Sequence, residues 1–125
     1  MSGVTLDAGA LIALDRNARK VLVLLARGKE LGTRVTLPAT ALAQAIRRPA
    51  TQARLARLIR QPTTDLRPLD AVDATNVGIL LGASRTRDIA DAHVVICAKR
   101  AKQAIVTSDP DDLVRLDPSA SLVRI

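Results

Sequence analysis

The stretch from Asp88 to Asp109 limits the fold more than any other part of the chain. It opens with Asp88-Ile-Ala-Asp91, continues as an apolar helix, and then gives the run Ala104-Ile-Val-Thr107 before the turn Ser108-Asp109-Pro110. A run that short, bounded by turn residues, reads as a buried strand rather than a helix. A helix that leads directly into a buried strand belongs to an alternating α/β architecture with a parallel sheet. The opening Val4-Thr5-Leu6 is a second such strand, and it too runs into an acid, Asp7. In an open parallel sheet the carboxyl ends of the strands line the ligand crevice. Asp88 and Asp91 stand three residues apart at a helix start, about 60° apart around its axis at roughly 100° per residue, so they share a face. Acids gathered this way suit Mg²⁺ or Mn²⁺, hard cations that prefer oxygen ligands.

The rest of the chain keeps the alternation. Strands are predicted at Val4–Leu6, Arg34–Leu37, Asp65–Leu69, Ala104–Thr107 and Leu122–Arg124, the third a weak one whose Pro68 puts it at an edge or strand end. Helices are predicted from Asp7 to Asp15, with Gly9 allowing close backbone approach, and from Ala18 to Leu31, stopping at Gly32. Pro38 opens a helix from Ala39 to Arg47. Thr51 is expected to cap a helix to Arg60, and Asp70 one carrying Val72, Val77, Leu80 and Leu81. Gly82 to Arg87 reads as a polar loop, and a short helix starts at Pro110. This is a three-layer α/β/α sandwich with a mostly parallel five-stranded sheet, and residues 1–125 read as a single domain.

Composition narrows the function. The 125 residues include no Phe, Trp or Tyr, so Leu, Ile, Val and Ala must fill the core. The same absence removes the stacking platforms on which many single-strand RNA binders rely. The net charge of +7 attracts polyanions. Cys97 stands alone, so no intramolecular disulfide forms, and this fits a reducing compartment. No basic-then-apolar signal segment or spanning apolar run is present. The expectation is a soluble, cytoplasmic protein that does not enter a membrane.

Each acid also has an ordinary explanation. Asp7 is a good N-cap, Asp91 favours a helix macrodipole, and Asp109-Pro110-Asp111-Asp112 fits a capping arrangement. Their joint position at one sheet edge is what points to chemistry. His93 lies about 160° around its helix from Asp91 and shares a face with Cys97; with no further His or Cys, both are expected to pack. The same isolation excludes a Ser-His-Asp triad. No phosphate-binding glycine loop occurs. Arg85 and Arg87 lie just before Asp88, where they could hold a phosphate beside a cation.

Four segments in order resemble the PIN-domain family, in particular the VapC-type toxins of bacterial toxin–antitoxin pairs. They are Val4-Thr-Leu-Asp7-Ala-Gly-Ala-Leu-Ile12, Leu37-Pro-Ala-Thr-Ala-Leu-Ala-Gln44, Asp88-Ile-Ala-Asp91-Ala-His93 and Ile105-Val-Thr-Ser-Asp109. The resemblance implies a Mg²⁺- or Mn²⁺-dependent endoribonuclease that cleaves RNA with cation-activated water. It also implies a homodimer and an inhibiting antitoxin. Asp7, Asp91 and Asp109 match the family's metal-binding acids, with Asp88 and Asp112 as further candidates. Gln44, Thr107 and Ser108 stand as supporting residues around them, and Arg85 and Arg87 as RNA contacts. Two positions depart from the pattern: Gln44 stands where the family has Glu, and Gly9 where it often has Ser or Thr. A PIN fold with weakened catalysis that acts as a binding module is one rival reading. A phospho-acceptor receiver domain is the other, but Asp7-Ala-Gly and Arg67-Pro-Leu-Asp70 fit its pattern poorly.

Overall fold

The computed structural model describes residues 3–125. The short β-branched and apolar runs form β1 (Gly3–Leu6), β2 (Arg34–Pro38), β3 (Thr64–Arg67), β4 (Ala104–Thr107) and β5 (Leu122–Arg124). They pair in the order β3-β2-β1-β4-β5, and every pairing is parallel. The sheet expected to be mostly parallel is thus wholly so. The chain builds outward from β1 to the edge strand β3, then crosses back to lay β4 on the other side of β1. The reversal falls between β1 and β4, and the carboxyl ends of strands flanking such a switch point frame a crevice.

Parallel neighbours need crossovers, and helices supply them. These are α1 (Ala8–Asp15), α2 (Arg19–Leu31), α3 (Ala39–Ala45), α4 (Ala53–Arg60), α5 (Ala71–Ser84), α6 (Ile89–Ala101) and α7 (Pro110–Leu116). They flank the sheet as a three-layer α/β/α arrangement. The most central is α6, which packs on β1, β2 and β4 and touches α3, α5 and α7. Its Ala90, Ala92, His93, Val94, Val95, Cys97 and Ala98 are all buried, and the small residues let neighbours close in around it. Leu6, Leu11, Leu37, Leu55, Ile105 and Leu113 are the largest fully buried apolar side chains. Full burial of each contributes about 1.5–3 kcal/mol, so aliphatic residues alone make a sufficient core.

Several local expectations change. Thr51 does not cap α4; it closes a 3-10 turn, Pro49–Thr51, with its hydroxyl donating to the Arg48 carbonyl at 3.0 Å. Buried Gln52 organises this connection instead. Its Oε1 accepts from the Arg47 and Arg48 amides at 2.9 and 3.1 Å, and its Nε2 donates to the Ala45 carbonyl at 2.9 Å. α3 ends at Ala45, short of Arg47, because Ile46 turns extended at φ −76° and ψ 130°. Gly82 lies inside α5 rather than in a loop. The helix runs on to Ser84, whose hydroxyl donates back to the Leu80 carbonyl at 2.8 Å. On the same helix Val72 is exposed and Asp73 is buried.

Candidate active site

The site begins with how the acids are held. Asp7, directly after β1, accepts the Ala10 amide at 2.8 Å through Oδ1 and so caps α1. Its own amide donates to the Val106 carbonyl of β4 at 3.3 Å, which fixes it at the β1–β4 junction. Asp88 caps α6 by accepting the Asp91 amide at 2.9 Å. Asp91, inside that first turn, is not a cap. Asp109 stands at the N-cap position of α7 but makes no capping bond through its side chain. Instead its amide donates to the Thr107 hydroxyl oxygen at 2.9 Å, and its carboxyl meets that of Asp112. The capping explanation therefore accounts for Asp88 and for one oxygen of Asp7, and leaves Asp91, Asp109 and Asp112 without one.

Electrostatics shows that these groups share one space. Burial lifts the Asp91 carboxyl to about 7, and the charges of Asp88, Asp7, Asp112 and Asp109 each add to the rise. Burial also raises Asp7; the Thr107 hydroxyl and the Ala10 and Gly9 amides oppose that, and Asp109 reinforces it. Asp112 is raised first by its hydrogen bond with Asp109. A carboxyl that stays half protonated near neutral pH marks negative charge that nothing nearby compensates. The donors are all hard oxygens, the set that Mg²⁺ and Mn²⁺ take, so the residues present fit such an ion.

Gly9 and Ser108 complete the wall. A Cβ on Gly9 would lie 2.4 Å from the Ser108 hydroxyl and 3.4 Å from Asp7 Oδ1. A side chain at position 9 would displace the Ser108 hydroxyl, which follows directly on β4.

Beside the acids, a cavity of about 140 Å³ is lined by Thr86, Arg87, Asp88, Asp91, Asp112, Arg115 and Leu116. Arg87 thus faces the acids, whereas Arg85 is the left-handed C-cap of α5 at φ 57°. Arg115 escaped the sequence reading; its spacing from Asp112 on a seven-residue helix was the available signal. Gln44 is exposed on α3 and lines a different cavity, with Asp15, Arg16, Arg47, Arg48 and Gln52. His93 and Cys97 are buried on the far side of α6, as their helical spacing from Asp91 predicts. They do not stand alone there, because Asp73 of α5 joins them.

No protein-family model and no curated protein matches the chain. Solved structures do. FitAB bound to an IR36 DNA fragment aligns with a TM-score of 0.66 over 97% of this chain and 94% of the other, at 14% identity. FitAcB from Neisseria gonorrhoeae aligns with a TM-score of 0.62 over 97% and 96%, at 17% identity. The chain has the PIN-domain fold. At such identities the likeness concerns backbone architecture. No helix among the described residues is long and apolar enough to cross a membrane.

Proposed function

We propose that this chain is a divalent-metal-dependent endoribonuclease, the toxin member of a toxin–antitoxin pair. One observation carries the reading: Asp91 lies beside Asp88 and Asp112, and burial first, then the charges of Asp88, Asp7, Asp112 and Asp109, lift its carboxyl to about 7. The likeness to FitAB and FitAcB supports it.

Asp7, Asp91 and Asp109 would hold Mg²⁺ or Mn²⁺, with Asp88 and Asp112 adding charge. When bound, such an ion activates water and stabilises charge growing on a phosphate. The chain's own residues do the rest. Thr107 orients Asp7 and Asp109 together, because its hydroxyl faces the first and accepts from the amide of the second. Arg87 and Arg115 edge the acids and offer donors to the phosphate backbone. With no aromatic ring to stack on bases, attraction to RNA comes from charge and is salt-dependent. The partners that go with this reading are a cognate antitoxin and a second copy of the chain, in the cytoplasm. Val72 and Ile79, both 66% exposed on α5, are apolar surface available for the homodimer.

Asp7→Asn and Asp109→Asn should each abolish Mn²⁺-dependent cleavage of single-stranded RNA while retaining the wild-type circular dichroism spectrum. Cleavage by both variants at the wild-type rate would refute the assignment. A PIN fold that acts only as a binding module predicts RNA binding with no Mn²⁺-dependent cleavage by the wild type.

A further inference from the structure

The far side of α6 holds a cluster that the acidic crevice does not use. Asp73, His93 and Cys97 are all buried, and one donor atom from each lies within 4.8 Å of the others. The donors are a carboxylate oxygen, an imidazole nitrogen and a thiol, brought together by α5 and by one face of α6. His93 is fully buried, and its Nε2 has no hydrogen-bond partner among the described residues. A buried ring nitrogen left unpaired normally costs about 1–3 kcal/mol.

The other ring nitrogen is occupied. Nδ1 lies 2.7 Å from the Thr40 hydroxyl of α3. Nδ1–H donating to Thr40 leaves the Nε2 lone pair facing the Asp73 carboxylate, 3.6 Å away, which repels it; the other tautomer aims Nε2–H at that carboxylate from beyond hydrogen-bond distance. A cation between the two turns that repulsion into coordination. Histidines that ligate a metal usually donate their second nitrogen to a fixed acceptor, the part Thr40 would play. One separation matches: ligands about 2.0–2.2 Å from a tetrahedral ion sit roughly 3.3–3.6 Å from one another, and Nε2 and Oδ2 are 3.6 Å apart, while the Cys97 sulfur lies within 4.8 Å of a donor atom on each partner.

We propose that Asp73, His93 and Cys97 form a buried site for a thiophilic divalent ion of the zinc class, separate from the acidic crevice. Loading it forms an Sγ–metal bond and releases the Cys97 thiol proton to solvent. The ion's two positive charges are then balanced by the thiolate and the Asp73 carboxylate. Arg100, which pairs with that carboxylate through two hydrogen bonds, has a side chain 49% exposed, so it can give up Asp73 and extend into water. Mg²⁺, which prefers oxygen, would not compete for a thiolate and an imidazole.

Cobalt(II) alone, added to the metal-free full-length protein, tests this. The expected result is a thiolate-to-cobalt charge-transfer band that saturates at one ion per chain. It should persist in an Asp7→Asn, Asp109→Asn double variant. Thr40→Val should keep the band but weaken binding about 10–100-fold. Absence of the band in the wild type under excess cobalt would overturn the proposal whatever the variants do. A band that survives His93→Gln at wild-type affinity would also overturn it, since the thiol would then bind without its neighbours.

Discussion

Replacing Asp91 by Asn should stabilise the metal-free protein while removing the proposed RNA cleavage. The folded state lifts this carboxyl from 3.8 to about 7, chiefly by burial and then by Asp88, Asp7, Asp112 and Asp109. Between those two pH values folded Asp91 holds a proton that unfolded Asp91 has lost, so stability falls as pH rises and the penalty is complete above about 7. Roughly three pH units at 1.36 kcal/mol each give an upper bound of about 4 kcal/mol. Asp91 is only partly buried, and solvent screening reduces that to about 1–2 kcal/mol. Asn keeps the shape and carries no charge, so the variant should gain that amount at pH 8 and nothing at pH 4. Urea unfolding without divalent ions, at both pH values, measures it as a higher midpoint at unchanged slope. Mn²⁺ should then stabilise the wild type by mass action and the variant much less. A variant no more stable than wild type at pH 8, or equally stabilised at both pH values, would refute the crowding argument.

Other outcomes follow from the same geometry. Gly9→Ser should destabilise by about 1–3 kcal/mol through its clash with the Ser108 hydroxyl, and adding Ser108→Gly should restore most of that in a thermal melt. Gln44→Glu should change Mn²⁺ affinity little by calorimetry, because Gln44 faces Arg16, Arg47 and Arg48; a tenfold tightening would put it at the acids. Arg87→Ala should flatten the salt dependence of RNA binding by about one unit of slope, and Arg85→Ala by less. Gln52→Ala should cost about 1–3 kcal/mol in urea unfolding, since it strips partners from the Arg47 and Arg48 amides and the Ala45 carbonyl.

What was legible in the sequence was what is encoded locally. Val4-Thr-Leu and Ala104-Ile-Val-Thr are too short for helices, and each leads to an acid. In a parallel sheet that placed Asp7 and Asp109 at the same edge. The Asp88 cap was equally local, with its partner amide three residues on. Pairing across the sheet was not encoded this way, so the strand order and the position of the switch point came only from the fold. Asp73 was hidden for a related reason. It follows the helix cap Asp70 and looks like an acid in a first turn, while the residues that make it distinctive, His93 and Arg100, lie on the next helix. Thr51 and Gln52 show propensity overruled: Thr is the better cap, yet Gln has the length to reach four partners from one buried position, Asp15 among them.

The ring-free core has a spectroscopic consequence. With no Trp, Tyr or Phe, the protein is nearly transparent in the near ultraviolet and has no intrinsic fluorescence. Charge-transfer bands of a bound ion, the absorbance of an RNA ligand and the signal of a single introduced tryptophan would each appear against an empty background. A tryptophan at exposed Ile79 would then report contact between two copies of the chain, and one at Val114 on α7 would report events beside the acids, with no native chromophore to subtract.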